Sequence, residues 1–379
     1  MKIVHVGLDL VPSSGGTVAS IRDFSHVAES TIISFTDPDK LKSEGSAILN
    51  TIHVKISSGF LGLAFAWAPE FNRRKALEAI NDADLIVCHT LLRYHVHWIK
   101  AIARKKNIPY WVVPHGCIDP YVFSYRSLVK KIWFNLFGRP FLKHADRVIF
   151  ATEKEKSRAG QYYSGNNCRV IHWPVQAVDI SHRVRAREKI RRRHGISADD
   201  KIIVQLGRLH SSKGVIEVIT AFAKARLPSV HLFVIGPEET ISHKVCNELA
   251  KSLEINNIHL IGPIFGDEKN DYLLASDVYI SLSHKENFGY TTAEALSAGL
   301  PVILSPGNYL CDDLKLLECG WMLRDNLPET ATSAIIEFSA MSIDKLNEMG
   351  QRGRCWALAN LNYEKFAERV RLAAVETLK

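Results

Sequence analysis

Short β-branched runs alternate with helical stretches along the whole chain, and this alternation constrains the fold more than any other feature. Ile3 to Val6, Thr31 to Phe35, Ile52 to Ile56, Leu85 to Cys88, Tyr110 to Val113, Arg147 to Phe150 and Arg169 to Ile171 form one series. Ile202 to Leu206, Val230 to Ile235, Ile258 to Ile261, Val278 to Leu282 and Pro301 to Leu304 form a second. Strands separated by helices predict a mostly parallel sheet for each series. Trp173-Pro174 closes the first, and Ala177 to Lys201 carries no strand pattern, which places a linker near Pro174 to His182. A chain of 379 residues exceeds what one hydrophobic core usually organises. The expectation is α/β with two domains: residues 1–175, a linker and basic surface helix at 176–200, a second domain at 201–357, and a C-terminal helix at 358–379. Phe366, Val370, Ala373 and Ala374 share one face of that helix.

Composition, 46% hydrophobic and 23% charged, is that of a globular protein. No apolar run approaches the roughly 18 to 20 residues that span a bilayer, and Met1-Lys-Ile-Val-His-Val-Gly reads as a strand start without a cleavable signal pattern. The expected location is the cytoplasm. The seven cysteines are scattered and form no Cys-x-x-Cys pair, so neither disulfide nor zinc is expected.

Two loop motifs carry the chemistry. Glu286-Asn-Phe-Gly-Tyr-Thr-Thr-Ala-Glu294 sets two carboxylates eight positions apart across a loop that becomes a helix over Thr291 to Ala298, bounded by Gly299 and Pro301. Backbone N–H groups around Asn287, Phe288, Gly289 and Tyr290 then lie at the positive end of a helix, where phosphate is stabilised. In the second motif, Ile202 to Leu206 leads into Gly207-Arg208-Leu-His-Ser-Ser-Lys213-Gly214. Arg208 offers a forked donor to phosphate oxygens, and Lys213 adds a compact charge. Val215, Val218, Ile219 and Phe222 follow at helical spacing, and ligands bind outside such strand ends.

These motifs, in this order and followed by Ala298-Gly-Leu-Pro-Val-Ile303, resemble the retaining glycosyltransferases of family 4, the "group 1" class. The resemblance covers nearly the whole chain. It implies the GT-B fold, two Rossmann-like domains facing across a cleft, with the last helix packing back on the first domain. It also implies that Arg208 and Lys213 hold a donor diphosphate, that Glu294 accepts hydrogen bonds from ribose, and that Glu286 contacts the transferred sugar. The implied reaction moves a sugar from a nucleoside diphosphate to a hydroxyl with the anomeric configuration kept. The first domain would supply the loop Pro12-Ser-Ser-Gly15-Gly16-Thr17 near the donor phosphate and His115, in Val113-Pro114-His115-Gly116, near the sugar. A simple turn into a helix and a neutral histidine satisfied by local backbone are the plainer readings of these two. His89 is a weaker candidate, read first as structural.

No cofactor and no metal are expected, because the positive side chains and helix amides face the leaving phosphate. Asp37-Pro-Asp39 and Asp82-Ala-Asp84 match a metal motif in spacing but sit in turn-like contexts. The formal net charge of +8 is unevenly spread. Arg183, Arg185, Arg187, Lys189, Arg191, Arg192 and Arg193 read as a solvated helix face. Lys130, Lys131, Arg139 and Lys143 interleave with Trp133, Phe134, Phe137 and Phe141, a pattern that fits either an anionic membrane surface or core packing. Gly59 to Phe71, followed by Arg73, Arg74 and Lys75, could extend such a surface. The expected partners are a uridine or guanosine diphosphate sugar, a saccharide acceptor of polyprenyl diphosphate type, and an anionic membrane, with no nucleic acid. The rival functions are a sugar-nucleotide epimerase or hydrolase on the same fold and a non-catalytic scaffold. A dinucleotide oxidoreductase is disfavoured by the missing Gly-x-Gly-x-x-Gly.

Overall fold

The computed structural model describes residues 1–11, 15–57, 67–91, 93, 95–124 and 127–379. Pro12, Ser13 and Ser14 of the first glycine loop, most of the apolar stretch after Gly59, and Tyr125 and Arg126 lie outside these. The chain divides into two compact units, Met1–Pro174 with Tyr363–Lys379, and Val175–Asn362.

The first unit is built on seven parallel strands: β1 (Lys2–Leu8), β2 (Glu29–Thr36), β3 (Ile52–Lys55), β4 (Leu85–His89), β5 (Tyr110–Val113), β6 (Arg147–Phe150) and β7 (Cys168–Val170). Their order is β3-β2-β1-β4-β5-β6-β7, so the winding direction reverses between β1 and β4. Every residue of β4 and β5 is buried, as expected of central strands covered by helices on both faces. The C-terminal helix Tyr363–Leu378 belongs to this unit and buries Phe366, Ala367, Val370, Ala373 and Ala374. Phe366 packs edge-on against Phe24 with centroids 5.0 Å apart, and the Trp111 indole donates to Thr377 Oγ1 at 3.0 Å.

The second unit carries β8 (Lys201–Leu206), β9 (Val230–Ile235), β10 (Ile258–Ile261), β11 (Val278–Ser281), β12 (Val302–Leu304) and β13 (Gly320–Met322). The order is β10-β9-β8-β11-β12-β13, again all parallel, with the reversal between β8 and β11. Strand β13 was not expected. It is three half-buried residues long at the sheet edge, too short to show alternation, and its first residue must be glycine, because a Cβ on Gly320 would lie 2.0 Å from the Val302 carbonyl oxygen.

The basic run presents the expected solvated face with Arg185, Lys189, Arg192 and Arg193 exposed, and its other cations turn inward. It forms the helix Arg183–His194, which belongs to the second unit and buries Ala186, Ile190 and Arg191. Arg187 donates to Asp277 at 2.8 Å, Lys189 to Asp271 at 2.5 Å and Arg193 to Glu268 at 2.8 Å, so much of the charge is matched by the helix Gly266–Ala275 and the start of β11. The aromatic stretch divides between its two readings. Phe134 and Phe141 are core, and Trp133 is half-buried against it. Phe137 is exposed, and so are the aliphatic residues Leu128, Ile132 and Leu136.

Candidate functional site

In the second unit the two candidate motifs meet where β8 and β11 end, at the reversal of strand order. Strand β8 ends at Leu206, and the chain passes through Gly207 and Arg208 into a short 3-10 turn, Ser211–Lys213. Gly214 then starts the helix Val215–Ala225 in the left-handed conformation, φ 66°. A side chain there is excluded twice over, since a Cβ would lie 2.1 Å from the Leu282 carbonyl oxygen. That close approach sets the Lys213 turn against the loop after β11, and the His284 N–H donates to the Ser212 carbonyl at 2.9 Å. Across this seam the Lys213 ammonium donates to the Glu286 carboxylate. Two motifs 73 positions apart in sequence therefore meet in one ion pair.

Glu286 is held by its backbone as well. It forms an isolated parallel bridge with Asn308, its N–H donating to the Gly307 carbonyl at 2.7 Å and its carbonyl accepting from Tyr309 N–H at 3.1 Å. Gly307 has to be glycine, because a Cβ would lie 1.9 Å from the Ser283 carbonyl oxygen. The buried Asn308 amide donates to Thr292 Oγ1 at 2.6 Å, tying this bridge to the first turn of the helix Tyr290–Ser297. Gly289 caps that helix at φ 82°, and Gly299 follows its end at φ 77°. Phe288 is buried and meets the Tyr290 ring edge-on at 5.1 Å. Its side chain is a plug beneath the loop, so any part it takes in binding falls to its backbone. Asn287 and Tyr290 flank it, both half-buried.

Two of the expected residues have partners that sequence reasoning did not foresee. Glu294, on the helix, accepts from Lys269 Nζ at 2.7 Å. Arg208, about half exposed, donates to both carboxylate oxygens of Glu239 at 2.9 and 2.8 Å. Lys269 and Glu239 lie in segments with no motif of their own, so no spacing marks them. Arg208 and Lys213 share one strand-to-helix connection but have different carboxylate partners.

In the first unit, Gly15 (φ 59°) precedes the helix Gly16–Ser25 and its carbonyl accepts from Val18 and Ala19. His115 follows β5 in a left-handed conformation, φ 49°, which is uncommon for a side-chain-bearing residue. Its partner is a ring rather than local backbone: its Nε2 lies 3.0 Å from His89 Nδ1. Burial pushes the His115 pKa down to about 3 and is also the main cause of a lowered value at His89. Both are therefore neutral at pH 7. The aspartates with metal-like spacing are occupied otherwise: Asp37 caps a helix through the Asp39 N–H, and Asp84 accepts from Lys2 N–H at 2.7 Å.

Two family profiles match in series, "Glycosyltransferase Family 4" over residues 26–177 and "Glycosyl transferases group 1" over residues 186–356. The chain belongs to the group 1 glycosyltransferases. This glycosyltransferase is 27% identical over 313 residues to the alpha-monoglucosyldiacylglycerol synthase of Streptococcus pneumoniae, a match covering 79% of the chain and 70% of that protein. It is 26% identical over 320 residues to the GDP-mannose:cellobiosyl-diphosphopolyprenol alpha-mannosyltransferase of Xanthomonas campestris, covering 80% and 78%. Among solved structures, Anabaena HepE in complex with UDP and glucose superposes with a TM-score of 0.77 at 17% identity, over 99% of this chain and 100% of that one. The glycosyltransferase accordingly has the GT-B fold, two Rossmann-like α/β units.

Proposed function

We propose that this glycosyltransferase moves a hexose from a nucleoside diphosphate sugar to a hydroxyl of a lipid-linked saccharide, with retention of anomeric configuration. The observation that carries the donor half is the Lys213–Glu286 pair beside the N-terminus of the helix Tyr290–Ser297. A diphosphate placed there meets the ammonium of Lys213, the guanidinium of Arg208 and the amides at Gly289 and Tyr290. Glu286 lies within reach of hydroxyls on the sugar, and Glu294 within reach of the ribose. The step that limits such a transfer is departure of the diphosphate, so fixed positive charge aimed at it lowers the barrier. No divalent ion is then needed, and a chelator should leave turnover unchanged. For the first unit, the family resemblance assigns His115 a part at the sugar and the Gly15-Gly16 turn a part at the donor phosphate.

A panel of uridine and guanosine diphosphate sugars, read by thermal shift and then by release of nucleoside diphosphate on adding acceptor, tests this reading. One donor is expected to raise the melting temperature with concentration. Conversion of that donor with no acceptor present would favour an epimerase or hydrolase, and no binding of any donor would favour a scaffold. HepE was solved with UDP and glucose, and the Xanthomonas relative is named for GDP-mannose, so both bases belong in the panel.

The acceptor half rests on the first unit and on the polyprenol-linked acceptor in that relative's name. Leu128, Ile132 and Leu136 recur every fourth residue and are 70%, 50% and 62% exposed, beside the exposed Phe137 and among Lys130, Lys131, Arg139 and Lys143. An apolar ridge set among lysines and arginines matches the chemistry of an anionic bilayer surface. No helix among the described residues is long and apolar enough to cross a membrane, so the association proposed is peripheral. Replacing Leu128, Ile132 and Leu136 together by serine should lower co-sedimentation with anionic vesicles at least roughly tenfold while leaving the melting temperature nearly unchanged. Binding equal to that of the unaltered protein would remove the ridge from this role.

A further inference from the structure

Three histidines run in line through the first unit. His5 lies on β1, His89 ends β4, and His115 follows β5, so they sit on or just beyond three neighbouring strands. His5 Nδ1 is 3.1 Å from His89 Nε2, and His89 Nδ1 is 3.0 Å from His115 Nε2. The His89 and His115 rings are stacked, with centroids 5.3 Å apart and planes at 20°. Burial is the largest influence on all three and holds them in the neutral form, with His5 and His115 pushed to about 3.

A neutral imidazole has one N–H and one bare nitrogen. Each of the two N···N contacts therefore needs one donor and one acceptor, and the chain of three is polarised in one direction or the other. Its ends decide which. His5 Nε2 is buried with no hydrogen-bond partner, whereas His115 Nδ1 carries no hydrogen bond from the described residues and is not among their buried, unpartnered atoms. If the protons pointed inward, an N–H would be stranded at His5 Nε2. If they point outward, only a lone pair is left there, and orphaned buried N–H groups are the rarer case. The outward direction puts a proton on His5 Nδ1, on His89 Nδ1 and on His115 Nδ1. The left-handed backbone at His115 and the following Gly116, whose N–H donates to the buried Glu155 carboxylate at 2.7 Å, fix the ring at the end of the chain.

We propose that His5 and His89 are positioning residues that hold the His115 imidazole as its Nδ1–H tautomer, so that it offers the substrate a hydrogen-bond donor and not a base. The proposal rests on His115 lying at the sugar, as read above. The ligand it takes there is an oxygen acceptor, a sugar hydroxyl or a phosphate oxygen, and His115 accepts no proton from the attacking hydroxyl.

Long-range 1H–15N correlation spectra of the full chain labelled in histidine, recorded at neutral pH and assigned by single His→Gln substitutions, report which nitrogen of each ring carries the proton. The Nδ1–H pattern is expected for all three, against the Nε2–H form that free histidine prefers. In His89→Leu the His115 ring is expected to leave the Nδ1–H form, with kcat down about tenfold, the worth of one hydrogen bond, and donor KM little changed. A packing role alone would lower the melting temperature and leave the tautomer as it was. An Nε2–H or doubly protonated His115 in the unaltered protein would overturn the proposal, and so would an unchanged tautomer with unchanged kcat in His89→Leu. Should that variant fail to fold, the spectrum of the unaltered protein still decides. Full activity in His115→Ala would defeat the placement of His115 at the sugar without touching the tautomer result.

Discussion

Replacing Lys213 by alanine is expected to lower kcat by roughly two to three orders of magnitude, the range seen when one preorganised donor to a developing negative charge is removed. The fold should survive. Lys213 sits on a turn and ends in a partly solvated ion pair, its side chain 18% and that of Glu286 21% exposed, so losing the pair costs on the order of 1 kcal/mol or less after solvent screening. Arg208→Ala should act in the same sense, its guanidinium being the forked donor on the same connection. Lys213→Arg should not restore the rate, because a planar fork does not fill the place of the compact ammonium paired with Glu286. The measurement is release of nucleoside diphosphate at saturating donor beside a melting curve for each variant. Unchanged sugar transfer in both alanine variants would refute the donor site.

The second large effect is on stability in acid. His5 and His95 are both fully buried, and burial is the leading cause that lowers each to about 3. In the unfolded chain these groups titrate near the usual 6.5. Below that pH the unfolded state takes up protons that the folded state refuses, so stability present above pH 6.5 is lost as pH falls toward 3. Each such histidine removes about 2 kcal/mol between pH 7 and pH 5. His89 and His115 shift the same way, again mainly through burial. Denaturant unfolding at pH 7, 6 and 5, followed by hydrogen exchange of the β1 and β4 amides, should show this loss in the first unit. A flat stability across that range would contradict it.

The strands were legible because each central one is a short β-branched run buried on both faces, and all twelve expected strands form within a residue or two of their expected ends. Strand β13 was not, since Gly320-Trp-Met322 is an edge pairing made possible by a missing side chain, which leaves no periodic trace. Lys213 and Glu286 on their loops and Glu294 on its helix were singled out by local spacing. Their partners were not. Lys269, Glu239 and Asn308 are selected by which loops the sheet order brings together, and that order is a tertiary fact. The same limit holds for the arginine-rich helix, whose solvated face was legible but whose pairing with Asp277, Asp271 and Glu268 was not.

Gly214 against Leu282, and Gly307 against Ser283, are contacts of main chain on main chain. Nothing between these loops can be trimmed or lengthened by substitution, so the cradle keeps its dimensions whatever residues surround it. On the proposed donor placement, a change of sugar preference is to be sought in side chains beside Glu286 such as Asn287, and a side chain forced into the seam at Gly214 or Gly307 should yield misfolded protein before a new specificity.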